Sequence, residues 1–549
     1  MPQRLNTTMT ILSQLNQALT DSLSALGLPE RDIKLSPPNN PDFGDLSTNV
    51  ALTLAKDARK NPLQIANDIK DELKLTEDLI EEVSVTPPGF LNFKIGINYY
   101  YQILTQILSN NNFVKGHAGE GKKANVEFVS ANPTGPLTVG HGRNAVLGDT
   151  VSNILEWNGY DVTREYYFND AGRQMRILGQ SVEARYFEII GKNIEFPEDG
   201  YEGDYIKEIS QSVVDEFGKD VPHQDERFKT QAEKIIFADI KKSLLKLGIH
   251  FDQFTNEKTF YENGEIDRFL DELKIKDLIY EKDGATWFRS TALGKEQDRV
   301  YIKSTGEPTY RVPDTAYHRN KIDRGFDLIV DVFGADHADT YPDVLLALDT
   351  LGLKTDHIRV LIYQFVTLLR GGEKVKMSTR KANFVTMDEL VEEVGADVVR
   401  YFFIMRGMNS HLNFDLDLAT DQSEKNPVYY LQYAHARICN IIKHGEAIGV
   451  SIQSEYDPIL LSHPTEIRLL KKLEKFPSII ENALQSLEPQ TISIYLHETA
   501  NRFHKFYSEC RVVTDNAPLS SSRIALVSAT KTVLANGLSL LGLSAPERM

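Results

Sequence analysis

Apolar residues recur at helical spacing at the start of the chain, at Ile11, Leu15, Leu19 and Leu23, a stripe that would turn one face of a helix toward a core. A Pro/Asn/Gly-rich stretch over residues 36–45, SPPNNPDFGD, interrupts the pattern. A second helical run, STNVALTLAKDARK, follows, and VSVTPPGFLNFKI alternates as a hairpin does. These elements predict a small α+β domain over residues 1–115, with HAGEGKK at 117–123 as a linker. From residue 121 the pattern becomes βαβ. Val126 and Phe128 mark a short strand, and a Pro/Gly loop follows. Val146, Val151, Ile154 and Leu155 then recur at helical spacing up to the stop signal Asn158-Gly159, and DVTREYYF supplies the next strand. Residues 176–265 are charged, mostly helical in pattern, and read as an insertion. Strand-like runs return at ATWFRS, RVYIKS, DLIVDVFG and IRVLIYQFVTLL, expected to complete one parallel sheet. The predicted fold class is α/β: a Rossmann-type parallel-sheet domain over 121–420, preceded by the α+β domain and followed by an all-α domain over 421–549. In that last part Ile467, Leu470, Leu473 and Phe476 form one apolar stripe and RIALVSATKTVLANGLSLLGL another.

Composition changes this picture little. A chain of 549 residues exceeds one hydrophobic core. No apolar run reaches the length of a bilayer span and the N-terminus has no signal-peptide pattern, so a cytoplasmic location without membrane contact is expected. Cys439 and Cys510, the two cysteines, supply neither a disulfide framework nor a zinc-ligand set. The formal net charge of -17 argues against a nucleic-acid partner on its face. Its distribution weakens that objection: residues 421–549 hold 13 Lys plus Arg against 13 Asp plus Glu, so the acid excess lies in residues 1–420.

Two loops carry candidate chemistry. In SANPTGPLTVGHGRNAV, Pro133 and Pro136 stiffen the chain, while Gly135, Gly140 and Gly142 let backbone approach a ligand. His141 falls in the first turn of the following helix, where free N–H groups favour an anion and an imidazole can donate to a phosphate oxygen. Gly140, Gly142 and Ala145 also spell the dinucleotide fingerprint, with Asp161 and Glu165 about 20 residues on; against it, about ten residues separate Val129 from the first glycine, where the fingerprint follows its strand almost at once. The second loop, GGEKVKMSTRK, gathers Lys374, Lys376, Arg380 and Lys381 ahead of the capping box Thr386-Met387-Asp388-Glu389. Such a cluster suits a triphosphate, and alone it also suits a solvated basic loop.

As a pair the loops resemble the two signature motifs of class I aminoacyl-tRNA synthetases, residues 139–141 (VGH) being similar to HIGH and 376–380 (KMSTR) to KMSKS. Thr138 stands where the first histidine usually does and can still donate a hydrogen bond; Thr379 replaces the second lysine and supplies no cation, leaving Arg380 or Lys381 to compensate. Longer blocks, among them EFVSANPTGPLTVGHGRNA, REYYFNDAGRQ, FGADH, NPVYYLQYAHARI and the terminal APERM, resemble the arginyl-tRNA synthetases, as does PDFGDLSTN at 41–49. The resemblance implies ATP-dependent activation of L-arginine to arginyl-adenylate and its transfer to tRNA(Arg); apart from the resemblance, a monomer is expected. Thr138, His141, Lys376 and Ser378 would stabilise the transferred charge. Pro133, Gly140, His141, Gly334, Asp336, Lys376, Met377 and Ser378 would hold ATP, with Mg²⁺ carried by the phosphates and no dedicated metal site. Glu127, Asn132, Tyr310, Asp314 and His337 would hold arginine, whose planar five-donor guanidinium calls for carboxylates. Tyr429, Tyr433 and Arg437, with Tyr430 and His435 nearby, would meet the anticodon, although a core role suits the tyrosines equally; the N-terminal domain would meet the tRNA corner. Other class I synthetases, a non-catalytic tRNA-binding paralogue and a dehydrogenase are the competing readings.

Overall fold

The computed structural model describes residues 11–549 apart from 77, 111, 112, 114, 171, 376–384 and 451–455, and apart from the side chain of residue 41. The N-terminal part is α+β as its pattern predicts. Ile11, Leu15, Leu19 and Leu23 are all buried, and the predicted hairpin pairs Ile80–Thr86 with Phe90–Ile95, which also pairs with Leu46–Thr48. The expected linker is instead a packed turn, because the amides of Gly116 and Gly119 donate to the carbonyls of Trp157 and Asn158.

Five parallel strands form the central sheet: β1 (Lys123–Glu127), β2 (Asp161–Phe168), β3 (Gln253–Asn256), β4 (Leu328–Gly334) and β5 (Ile358–Tyr363), in the order β5-β4-β1-β2-β3. The order reverses direction between β1 and β4, and at such a switch point the carboxyl ends of two strands diverge into a ligand crevice. Helix α1 (Val139–Trp157) connects β1 to β2 and is buried almost all round. It ends at Asn158-Gly159, where Gly159 takes the left-handed conformation at φ 89° that its lack of a side chain allows. Two of its glycines are contact points: a Cβ on Gly148 would lie 2.2 Å from the Phe128 ring, and one on Gly142 would lie 2.0 Å from Met387 Sδ.

Three expectations change. ATWF and RVYI do not join the parallel sheet; Ala285–Phe288 and Arg299–Ile302 form an antiparallel sheet with Ile279–Lys282. Asp283-Gly284, both at positive φ, closes a hairpin too short for the crossover that parallel pairing needs. The long run at 358–369 divides, Val366–Arg370 pairing with Leu412–Asp415 outside the main sheet. The expected insertion at 176–265 is the crossover from β2 to the edge strand β3, through helices Gly172–Ile189, Asp204–Phe217 and Glu226–Lys246.

The remainder is helical. Helix α2 (Pro427–Ala447) begins where Asn426 Oδ1 accepts from the Val428 amide ahead of a proline at the first position. It packs with α3 (Gln490–Glu509) and α4 (Ala517–Leu540). Leu470, Leu473 and Phe476 of the predicted stripe are buried. Arg400, itself buried, ties this part to the sheet domain: its guanidinium donates to Asp149 Oδ2 on α1 (2.6 Å), to the Leu247 carbonyl (3.0 Å) and to the Leu541 carbonyl beyond α4 (3.1 Å).

Candidate active site

The chain leaves β1 through two successive non-glycine residues at positive φ, Val129 (65°) and Ser130 (45°), a strained turn that neighbouring bonds hold in place. Asn144 of α1 accepts from the Val129 amide (2.6 Å) and donates to the Val332 carbonyl of β4 (2.8 Å), joining both sides of the switch point. Tyr166 donates to the Ala131 carbonyl and Tyr205 to that of Thr134. The loop therefore delivers the start of α1 in a fixed orientation.

His141 is partly buried there and pushed down to about 4 by desolvation, so the imidazole is neutral near pH 7. The Thr138 amide donates to its Nδ1 (3.2 Å). The proton then sits on Nε2, leaving that nitrogen as a donor. Gly140 is covered by Tyr363 at the end of β5, and Pro133 is buried beneath the loop. Across the crevice β4 ends at Gly334 and runs into Asp336 and His337, both exposed, with the imidazole stacked on Phe333 (5.3 Å).

Lys376, Met377 and Ser378, with Thr379, Arg380 and Lys381, lie outside the described residues. The chain that resumes after them is tied to the first loop: Thr386 bridges Thr138, the Met387 amide donates to the Leu137 carbonyl (2.8 Å), and Met387 packs on Gly142. The two constellations thus share one edge of the crevice at their described ends.

A second group lines the carboxyl end of β1, β2 and β3. Asp314, on helix α5 (Arg311–Asp323), is pushed up to about 7, first by burial and then by the charges of Glu127 and Glu257. Glu257, one residue past β3, is likewise pushed up to about 7 by burial, and accepts from Tyr167 (2.9 Å) and Asn169 (2.7 Å). Neither carboxylate makes an ion pair among the described residues; the charges of His318 and Lys321 reach Asp314 but only partly offset its burial. Tyr167 stacks flat on Tyr317 (4.3 Å, 11°) as its wall. Asn132 accepts from the Asn169 amide (3.2 Å) and donates to Gln174 (2.9 Å) at its rim. Tyr310 stands one turn before Asp314 and is 64% exposed. Glu127 is buried, taking a hydrogen bond from Ser130 (2.9 Å) and one from Lys321 (2.5 Å). Sequence patterns missed Glu257, Tyr167 and Asn169; the one signal was position, just past strand ends of a parallel sheet.

On the helical part, Arg437 lies over the Tyr433 ring (4.3 Å) and that of Tyr507 (5.4 Å), and Tyr430 donates to Asn501 (2.5 Å). His497 and His504 of α3 lie tilted against the Tyr430 ring at 5.2 and 4.9 Å, and burial with the nearby Arg437 pushes His504 down to about 4. Tyr429, Tyr433 and Arg437 are half-buried. His435 is buried instead, with Nδ1 against the Pro546 carbonyl (2.9 Å), and clamps the C-terminal tail.

A doubly wound sheet with a histidine-bearing helix start at its switch point suits a class I aminoacyl-tRNA synthetase, and residues 103–402 match the family model for the tRNA synthetases class I (R) catalytic domain. The arginyl tRNA synthetase N-terminal domain matches residues 10–95, and the DALR anticodon binding domain matches 431–549. An arginine–tRNA ligase of Salinibacter ruber is 50% identical over 96% of this chain and 98% of its own, and one of Desulfotalea psychrophila is 50% identical over 93% and 94%. The Thermus thermophilus arginyl-tRNA synthetase structure covers 98% of the chain and 99% of its own at a TM-score of 0.76, with 23% identity. The chain belongs to the arginyl-tRNA synthetase family and is an arginine–tRNA ligase, using ATP.

Proposed function

We propose that the acidic chamber is the arginine side-chain site, with the guanidinium held between Asp314 and Glu257. The observation that carries this reading is the pair of desolvated carboxylates, without an ion pair among the described residues, beside the His141 crevice; a bound guanidinium supplies a cation to both as bidentate hydrogen bonds. Tyr310 folds onto the aliphatic stem. Asn132, His337 and Glu127, the last by its field through Ser130, govern the ammonium and carboxylate ends.

ATP lies along the switch point, its adenosine toward Gly334 and Asp336 and its phosphates toward Pro133, Gly140 and the Nε2–H of His141, with Thr138, Lys376, Met377 and Ser378 completing the cradle. An oxygen of arginine's carboxylate attacks the α-phosphorus in line as the bond to pyrophosphate breaks; a hydroxyl of the tRNA's terminal adenosine then attacks the arginyl carbonyl and AMP leaves. Fixed donors and positioning supply the acceleration, and no protein nucleophile is required. Mg²⁺ travels with the ATP phosphates. Among the described residues, the His/Asp/Glu cluster that could hold an ion is Glu127, His318 and Asp331, and Lys321 fills it.

Anticodon bases stack on the surface of Tyr430, Tyr433, Arg437 and His504, with Tyr429 at its edge, since ring faces and a guanidinium plane suit unpaired bases. The N-terminal domain meets the tRNA corner through a cleft of about 460 Å³ that includes Asn40, Phe43 and Asn92. The functional divisions follow 1–115, 121–420 and 421–549. The enzyme works as a cytoplasmic monomer; large exposed apolar side chains such as Leu245, Ile275 and Ile459 stand far apart along the chain.

Pyrophosphate exchange into ATP, measured with each amino acid in the presence of tRNA, tests the site through Asp314→Ala. Arginine-dependent exchange is expected to vanish in the variant while tRNA affinity stays within about threefold. Unchanged arginine kinetics would remove Asp314 from the site.

A further inference from the structure

The strand register places three acids in one row across the sheet: Asp331 of β4 beside Glu127 of β1, and Glu127 beside Glu165 of β2. All three are buried. Like charges on neighbouring strands repel, and burial removes the water that would screen them. One ammonium bridges the first two. Lys321, on the last turn of α5, is fully buried, with Nζ 2.5 Å from Glu127 and 2.6 Å from Asp331 and within the field of Glu165. Its ammonium also lies 4.3 Å over the Tyr317 ring that stacks on Tyr167.

We propose that Lys321 is a positioning residue for arginine: by holding this row it fixes the place of Glu127 and its distance from Asp314, which stands on the same helix as Lys321. The proposal rests on the reading of Glu127 and Asp314 as substrate-directed groups given above. The connection to Asp314 is a continuous chain. Lys321 binds Asp331, Asp331 binds His318 Nε2 (3.0 Å), and His318 Nδ1 meets the Asp314 carbonyl (2.8 Å). His318 and Lys321 thus anchor successive turns of α5 to the sheet, so the helix cannot slide without breaking ion pairs.

The groups facing the ammonium are Glu127, Asp331 and Glu165 from three strands and Tyr317 and His318 from its own helix, while Arg324 relieves Glu165 by a separate 2.7 Å bond. Burial alone drives Glu127 toward the protonated form, and Lys321 is the first of the charges opposing that. Losing Lys321 removes the largest charge that opposes burial, so Glu127 moves further toward the protonated form and its field at the ammonium end of the site weakens.

Arginine-dependent pyrophosphate exchange with tRNA, followed from pH 6.5 to 8.5 in the full-length enzyme, tests this with Lys321→Met, Lys321→Arg and His318→Gln. In Lys321→Met the arginine KM is expected to rise about 30-fold at pH 6.5 and less at pH 8.5, because burial of Glu127 is then less opposed and favours its protonated form most at low pH, with the ATP KM within about twofold. Lys321→Arg should recover most of the loss. A merely structural lysine would lower the melting temperature and leave the arginine KM and its pH profile as in the wild type, and that result overturns the proposal. If Lys321→Met does not fold, His318→Gln decides: an arginine KM raised about fivefold or more, with the ATP KM unchanged, supports the role, and a wild-type value overturns it. Asp314→Asn separates the two readings. If it leaves the arginine KM unchanged, the substrate site itself is wrong; if it impairs binding while Lys321→Met does not, only the positioning role fails.

Discussion

Lowering the pH should weaken arginine binding steeply. Asp314 and Glu257 are each held at about 7 in the free enzyme, so at pH 6 each is ionised in roughly a tenth of molecules and at pH 8 in about nine-tenths. The guanidinium stays protonated throughout and needs both charges. The arginine KM in pyrophosphate exchange should therefore rise about tenfold per carboxylate from pH 8 to pH 6, and up to about a hundredfold if both must ionise. Linkage gives a second readout. Folding raises these pKa values, so the folded enzyme holds protons that the unfolded chain has lost between about pH 4 and 7, and stability falls as pH rises through that window. For a carboxyl moved from 3.8 to about 7 the full cost at pH 8 is on the order of 4 kcal/mol. Asp314→Asn, without arginine, should thus melt above the wild type at pH 8 and lose that advantage by pH 4, while failing to bind arginine. An arginine KM that stays flat between pH 6 and 8, with the ATP KM as control, would refute the reasoning.

Further substitutions test the frame around this chamber. Arg400→Met should cost on the order of 3–5 kcal/mol in denaturant unfolding, because Asp149 loses its partner and the Leu247 and Leu541 carbonyls lose their donor. Gly142→Ala places a methyl 2.0 Å from Met387 Sδ; exchange activity should fall about tenfold or more, and Met387→Ala in the same chain should restore part of it. Arg437→Ala should raise the KM for tRNA about tenfold, and tRNA-binding measurements should show a shallower salt dependence, with arginine and ATP KM values within about twofold.

Much of the architecture was readable from periodicity, since the stripe at Ile11, Leu15, Leu19 and Leu23, the hairpin at 80–95 and the helix stop at Asn158-Gly159 each declare themselves locally. The edge strand Gln253–Asn256 did not, because four residues with one apolar side chain, Phe254, next to helical sequence give no strand signal until β2 is there to pair with. With that strand unseen, Glu257 had no reason to stand out. The antiparallel sheet around Asp283-Gly284 was misassigned for the opposite reason: its strands look like core strands, and only the brevity of the turn excludes a crossover. His141 was legible through its loop of glycines and prolines. Its neutral state and Nε2 donor depend on burial and on the Thr138 amide, which local sequence does not encode. Lys321 was invisible, for its role arises from register across three strands that no single segment contains.

The most direct measurement is a crystal structure of the enzyme with arginine and a non-hydrolysable ATP analogue. The guanidinium should lie within about 3.2 Å of carboxylate oxygens of both Asp314 and Glu257, with the α-phosphate beside His141 Nε2. A guanidinium bound elsewhere, with those two carboxylates still unpaired, would contradict the account.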